Sequence, residues 1–262
     1  MKKIPLLQLL KTRFPDVPHK ELYARILCGE VAVDGEHHRN PQMQVSVEAE
    51  LELEQRKYVS RGGLKLEAAI TKWKLPVEGR VFLDAGASTG GFTDCLLQHG
   101  ARIVHAVDVG YNQLDYSLRS DDRVKVAERT NIMHVQALDP SADAAVADLS
   151  FRSLRGAAAH IIGLTGEKWM VGLLKPQFEL EGIPDPADAA DDFNGVVRVE
   201  QAQHILEKVV NFLRDEGLRV EAISESPIVG RKGNREFLLL LTGAACKVFA
   251  GQRFADENPF AG

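Results

Sequence analysis

Apolar residues in the first fifty positions repeat with a helical period and then with a strand period. Leu6, Leu7, Leu9, Leu10 and Phe14 share one helical spacing. A second helix is expected from near Pro18, with Leu22, Ile26 and Leu27 on one face and Gly29 as its stop. Glu30 to Gly35 reads as a strand entering a tight turn, because Asp34-Gly35 favours a hairpin. A last strand is expected over Val45 to Leu53, where apolar and acidic residues alternate.

From Gln55 to Gly63 the core periodicity disappears, leaving a basic, glycine-ended connection. Beyond it strands alternate with helices, the pattern of a mostly parallel sheet covered on both faces. Strands are expected at Val81–Asp84, Ile103–Asp108, Val124–Val126, Ala144–Asp148, Trp169–Lys175, Leu218–Ile223 and Glu236–Leu241. Helices are expected at Leu64–Trp73, Gly91–His99 and Gln201–Arg214. No long helical stretch separates the last two strands, so an antiparallel pair is expected there. The acidic, proline-containing stretch from Pro176 to Gly195 reads as a mobile loop near the site. The tail after Thr242 carries no clear pattern. The reading is an α/β chain with a small α+β domain at 1–54, a linker at 55–60 and a larger Rossmann-like domain at 61–262.

Composition changes this picture little. The 262 residues suit one good-sized domain and a small one. The apolar and charged fractions are those of an ordinary globular protein, and no apolar run is long enough to cross a bilayer. The basic, then apolar start reads as the first helix of a domain, since charge returns at Lys11 and Arg13. Cys28, Cys95 and Cys246 have no metal-type spacing, so reduced thiols, a cytoplasmic location and no metal are expected. The net charge of −5 argues mildly against a general nucleic-acid binder, so the placement of the basic residues matters more than their sum.

The densest chemical signal is Val81-Phe82-Leu83-Asp84-Ala85-Gly86-Ala87-Ser88-Thr89-Gly90-Gly91-Phe92-Thr93-Asp94. An apolar strand runs through a small-residue loop into a helix, where backbone can approach a ligand closely and free N–H groups face it. The glycine spacing differs from the dinucleotide pattern G-x-G-x-x-G. With Asp84 ahead of the loop, it resembles motif I of S-adenosylmethionine methyltransferases. Asp108 ends the next strand, where Rossmann-type proteins hold ribose hydroxyls with a carboxylate. Asn131 and Ile132 follow the third strand, where such enzymes hold the adenine. The expected cofactor set is therefore Asp84, Gly86, Ala87, Ser88, Thr89, Gly90, Gly91, Phe92, Asp108, Asn131 and Ile132.

Four charged residues sit at element ends expected on one side of the sheet. Lys65 starts the helix before the first strand, Asp148 and Lys175 close parallel strands, and Glu236 opens the last one. Ligands of open α/β sheets bind at the carboxyl ends of the parallel strands, and an antiparallel last strand would begin at that edge. This order of Lys65, Asp148, Lys175 and Glu236 resembles the FtsJ-like ribose 2′-O-methyltransferases. Further pieces resemble the TlyA, or hemolysin A-like, family: Ser60-Arg61-Gly62-Gly63-Leu64-Lys65-Leu66, Asp148-Leu149-Ser150-Phe151, Leu174-Lys175-Pro176-Gln177-Phe178-Glu179, Gly195-Val196-Val197-Arg198, and Ser226-Pro227-Ile228 through Glu236-Phe237. The resemblance implies methyl transfer from S-adenosylmethionine to a ribose 2′-hydroxyl of ribosomal RNA, with cytidine as the expected target. The enzyme must align that hydroxyl and help remove its proton. Lys175 is the residue expected to do so, as base or as a cation favouring the alkoxide, with Lys65 as a neighbouring cation. Asp148 and Glu236 would orient the lysines, and Asp148 would also be able to meet the cofactor's amine.

Ile26, Gly29, Val31, Val33, Gly35, Pro41 and Val45 resemble the core of the S-four-type RNA-binding domain. Lys11, Arg13, His19, Lys20, Arg25, Arg39, Arg56 and Lys57 are the candidate phosphate contacts, which would position RNA without reading its bases. One departure stands out: the usual Ser-Arg that opens the second helix reads Pro18-His19 here. Arg56-Lys57-Tyr58-Val59 resembles the family's interdomain linker. The partner implied is ribosomal RNA or a ribosomal subunit, without a membrane; nothing sets the oligomeric state. The competing readings are a membrane-active hemolysin, a small-molecule O-methyltransferase and an RNA-binding scaffold with an inactive Rossmann domain.

Overall fold

A computed structural model of the chain describes residues 2–54, 56–150, 152–180 and 195–254, with Arg231 described by its backbone alone. The chain divides into two compact units, Met1–Arg56 and Lys57–Gly262.

The first unit runs β1 (Lys3–Pro5), α1 (Leu6–Arg13), α2 (His19–Cys28), β2 (Val31–Val33), β3 (Glu36–His38), β4 (Gln44–Ser46) and β5 (Leu51–Leu53). Leu6, Leu9, Leu10, Leu22, Ile26, Val31, Val33 and Val45 form its core. Leu27, expected beside Leu22 and Ile26, is instead half exposed. At 100° per residue it stands about 140° round the helix from Leu22, whereas Ile26 stands within about 40°. The hairpin between β2 and β3 forms as expected: Asp34 and Gly35 both adopt positive φ, 51° and 84°. That twist matches the flanking strands.

The single strand expected over Val45 to Leu53 is two strands in two sheets. β4 pairs antiparallel with β1, and β5 with β2. The break comes from polar side chains that offer the backbone other partners. Ser46 Oγ accepts the N–H of Glu48, and Asp34 Oδ1 accepts the N–H of Glu50 at 2.8 Å.

The second unit carries α3 (Gly62–Trp73), β6 (Val81–Ala85), α4 (Gly91–Gln98), β7 (Ile103–Val107), α5 (Tyr116–Arg119), β8 (Val124–Ala127), β9 (Ala144–Ala147), α6 (Ala157–Gly163), β10 (Trp169–Leu174), α7 (Val199–Asp215), β11 (Arg219–Glu225) and β12 (Phe237–Thr242). Its seven strands lie in the order β11-β12-β10-β9-β6-β7-β8. The ladders among β10, β9, β6, β7 and β8 are parallel, and β12 runs antiparallel to both β10 and β11. Both faces are covered, so alternate residues of each strand enter different cores. Phe82, Val146 and Leu238 pack with α3 and α4 residues such as Leu66 and Leu96. Leu83, Ala145 and Leu239 pack with α6 and α7 residues such as Ile161 and Val209. This explains why the strands read as continuous apolar runs.

Chain order reverses at β6. The chain moves outward through β7 and β8, then returns to β9 on the other side. The crevice at the carboxyl ends of β6 and β9 is therefore the topological switch point where open sheets bind ligands. The expected strand ends hold to within a few residues. Asp108, Asp148 and Lys175 lie one position past their strands, in the connecting loops.

Two parts of the chain carry more structure than their patterns announce. α5 and α6 are short helices with no long apolar stripe. Part of the tail after Thr242 also packs: Phe249 meets the Trp169 ring edge-on, with centroids 5.3 Å apart. Most of the loop expected from Pro176 to Gly195 lies outside the described residues, apart from a short 3-10 turn at Pro176–Phe178 with the two residues after it, and Gly195 itself.

Candidate active site

The glycine loop between β6 and α4 needs its small residues. Gly86 has φ +85°, and a Cβ there would come within 2.7 Å of the Asp148 carbonyl oxygen. The loop can therefore lie against the neighbouring strand end only with glycine at this position. Ser88 also adopts positive φ, 50°. It is held there by its N–H, which donates to Asp108 Oδ2 at 2.8 Å. The other oxygen of Asp108 accepts the N–H of Gly110 at 2.6 Å. Asp108 thus ties two loops together, and each oxygen keeps a lone pair for a further donor.

Asp84 lies beneath the loop and is fully buried. Thr93 donates its hydroxyl to Asp84 Oδ2 at 2.6 Å, while Oδ1 has no partner. Burial pushes this carboxyl up to about 7, the Thr93 hydrogen bond opposes the shift, and the Asp148 charge adds to it.

A cavity of about 240 Å³ opens beside the loop. One wall is Gly86, Ala87, Ser88, Thr89, Gly91 and Phe92. Another is Ser60, Arg61, Gly62 and Lys65, at the start of α3. Asp148, Val229 and Gly230 complete it. Asp84 and Gly90 lie outside the lining. Gly90 packs beneath Leu118, where a Cβ would collide.

Asp108, Asn131 and Ile132 are also absent from the lining. Asn131 caps the 3-10 turn Ile132–His134 by accepting the Met133 N–H at 3.0 Å. Ile132 is buried in the core on the α6 and α7 face. Ser60, Arg61, Gly62, Val229 and Gly230 were not among the candidate residues. The first three stand in the Ser-Arg-Gly-Gly run before Lys65, which is the one sequence signal that pointed to them.

The structure brings the four charged residues to one edge as two ion pairs. Lys65 Nζ is 2.5 Å from Glu236 Oε2, and Lys175 Nζ is 2.5 Å from Asp148 Oδ1. Lys65 and Asp148 face the same cavity, and each has its partner beside it. Glu236 is buried, and Gly230 lies so close that any Cβ there would strike its carboxylate. Lys175 also donates to Ser150 Oγ at 3.3 Å. Each lysine therefore meets an acid, and the two positive and two negative charges balance. Among the described residues, no cluster of three His, Cys, Asp or Glu side chains could hold a metal ion.

The donor set fits S-adenosylmethionine. The loop supplies the N–H groups of an α4 N-terminus and a Cβ-free approach at Gly86. Below it lies buried Asp84, whose Oδ1 is an orphaned polar atom at the base of the loop.

The candidate phosphate contacts behave differently from one another. In the first unit Lys11, Arg13, His19, Lys20 and Arg39 are exposed. Arg25 instead pairs with Glu21 at 2.8 Å and donates to the Glu54 carbonyl at 3.1 Å. Arg56 pairs with Glu30 at 2.6 Å. In the second unit Lys57 pairs with Glu67. These three carry less available charge than their residue types suggest, because acidic partners lie against them: Glu21 one turn away on the same helix, Glu30 and Glu67 farther off in sequence. Beside Lys57, Tyr58 is buried against Gly63, and the Val59 N–H donates to Asp94 Oδ2 at 2.8 Å.

Comparison with known proteins adds to this geometry. The family model for FtsJ-like methyltransferases matches residues 58–242. A Bacillus subtilis protein named as a candidate rRNA methyltransferase, YqxC, is 42% identical over 193 residues, covering 71% of this chain and 66% of its own length. The Mycobacterium tuberculosis 16S/23S rRNA (cytidine-2′-O)-methyltransferase TlyA is 40% identical over 238 residues, covering 87% of this chain and 86% of its own. A solved structure described as a candidate hemolysin, from Streptococcus thermophilus, superposes with a TM-score of 0.70 at 34% identity, covering 99% of this chain and 93% of that one.

Proposed function

The chain belongs to the FtsJ-like methyltransferase family, and from that premise we propose that it methylates a ribose 2′-hydroxyl of ribosomal RNA, at a cytidine. The observation that carries this reading is the double ion pair, Lys65 with Glu236 and Lys175 with Asp148, beside the glycine-loop cavity. The name of the Mycobacterium tuberculosis relative, a 16S/23S rRNA (cytidine-2′-O)-methyltransferase, supports the choice of substrate.

S-adenosylmethionine, when bound, supplies a methyl group already activated on a sulfonium. The loop from Gly86 to Phe92 would hold it, with Asp108 and Asp84 as the nearby carboxylates. What remains for the protein is to orient the hydroxyl and manage its proton. Lys175 lies past the end of a central parallel strand with Asp148 and Ser150 fixing its ammonium. In this reading its ammonium points the ribose oxygen and stabilises the negative charge that develops there, while the Asp148 carboxylate takes the proton. Lys65, locked to buried Glu236, adds a second fixed cation that needs no rearrangement during the reaction.

Lys11, Arg13, His19, Lys20 and Arg39 give the first unit an exposed basic set suited to RNA phosphates, in keeping with an S-four-type module. A ribosomal substrate implies a cytoplasmic site of action. Among the described residues, no helix is long and apolar enough to cross a membrane.

The direct test is Lys175→Ala. With radiolabelled cofactor and ribosomal RNA or subunits, transfer should fall by at least about 100-fold while cofactor affinity stays near wild type. A variant that transfers at the wild-type rate would exclude this chemistry.

A further inference from the structure

Another buried carboxylate, Glu179, lies four residues past Lys175, and the chemistry above makes no use of it. Glu179 is 1% exposed. It follows Lys175 through a tight turn in which the Phe178 N–H donates to the Lys175 carbonyl at 2.9 Å and the Glu179 N–H to the Pro176 carbonyl at 3.0 Å. Its side chain then crosses to the loop that follows β9. Oε1 accepts the Leu154 N–H at 2.7 Å, and Oε2 accepts the Ser153 hydroxyl and, at 3.3 Å, Arg155 Nε–H. Arg155 donates its Nη2–H back to the Glu179 carbonyl at 2.9 Å. Leu154 is buried over Gly172 of β10, where a Cβ would come within 3.2 Å of the leucine.

The register explains why such a brace matters. The last paired position between β9 and β10 is Ala147 with Gly172. Asp148 and Lys175 both lie beyond it, so that ladder does not set their separation. An apolar contact would hold the two loops together at less cost than a buried carboxylate, whose removal from water must be offset by full hydrogen bonding. Here both oxygens are bonded, and the bonds have defined directions. Burial still raises the acid above its ordinary range, with Ser153, Leu154 and Arg155 opposing the shift.

We infer that Glu179 is a positioning residue for methyl transfer: its clamp on residues 153–155 fixes the geometry in which Lys175 meets Asp148 and the substrate hydroxyl. The inference rests on the assignment of Lys175 to the reacting oxygen. Misplacement by about 1 Å can cost about 100-fold in rate, so small relaxation of this brace should be visible kinetically.

The test compares Glu179→Gln, Lys175→Ala and the double variant in single-turnover methyl transfer to ribosomal RNA, with cofactor affinity and thermal unfolding measured on each. Glu179→Gln should lower the maximal rate by about 10- to 100-fold and leave cofactor affinity and the RNA KM within about threefold. The double variant should be no slower than Lys175→Ala alone, because Glu179 acts through the lysine. A wild-type maximal rate in Glu179→Gln, or losses that multiply in the double variant, would overturn the inference. If Glu179→Gln does not fold, Ser153→Ala removes one arm of the clamp and is judged by the same criteria. A fully active Lys175→Ala would instead overturn the functional reading itself. An inactive Lys175→Ala beside a fully active Glu179→Gln would overturn the positioning role alone.

Discussion

At the scale of single residues, the site depends on backbone freedom and on buried charge. Gly86 holds a left-handed conformation against the Asp148 carbonyl. Gly86→Ala should therefore weaken cofactor binding by roughly tenfold or more, measured by calorimetry, and an unchanged affinity would show that the loop has another way to fit. Asp84 makes a pH prediction. Its folded carboxyl is pushed up to about 7 from an ordinary 3.8, so the folded state binds a proton that the unfolded chain has released. Between those values stability falls as pH rises, and the cost is complete above about 7. Asp84→Asn removes it. The stability gained by that variant should grow from pH 4 to pH 7 and then level off, toward an upper bound on the order of 4 kcal/mol. Denaturant titrations at several pH values check this, and a pH-independent difference would contradict it. Residue types announced the tetrad and the glycine loop because strand-end charge and a small-residue turn are local patterns. The availability of Arg56 and Lys57 was not local, since Glu30 and Glu67 reach them only through the fold, whereas Glu21 stands one helical turn before Arg25.

At the scale of elements, the parallel sheet was legible because strands covered on both faces must be apolar at every position, as Ala144 to Ala147 are. The antiparallel last pair followed from the missing helix between β11 and β12. The short strands were not legible. β4 and β5 share one alternating stretch, and only the hydrogen bonds of Ser46 and Asp34 to the intervening backbone divide it. The tail was opaque for a related reason. One aromatic residue has no period, yet Phe249 is mostly buried against Trp169. Phe249→Ala should cost about 3 kcal/mol and lower Tm by roughly 6–12 °C for a unit of this size. An unchanged melting temperature would mean the tail only rests on the sheet. The cavity wall formed by Ser60, Arg61 and Gly62 belongs to this scale too. The start of α3 carries Lys65 and these three residues together, so one helix terminus serves both the cavity and the tetrad.

At the scale of the whole molecule, the proposed function assigns RNA contact to the first unit and methyl transfer to the second. If the exposed lysines of the first unit contact phosphates, RNA binding should weaken with salt, and Lys11→Ala and Lys20→Ala should each reduce the slope of log affinity against log salt by about 0.7–0.9. Filter binding to ribosomal RNA across a salt series checks this, and slopes equal to wild type would remove both residues from the interface. The central claim is narrower: the paired lysines and acids beside the glycine loop act on a ribose oxygen. The most direct test is to methylate ribosomal subunits with isotopically labelled S-adenosylmethionine, digest the RNA to nucleosides and identify the product by mass spectrometry, using wild-type protein and Lys175→Ala side by side. The account predicts 2′-O-methylcytidine from the wild type and at least about 100-fold less from the variant; label on a base, or equal ribose methylation by both proteins, would contradict it.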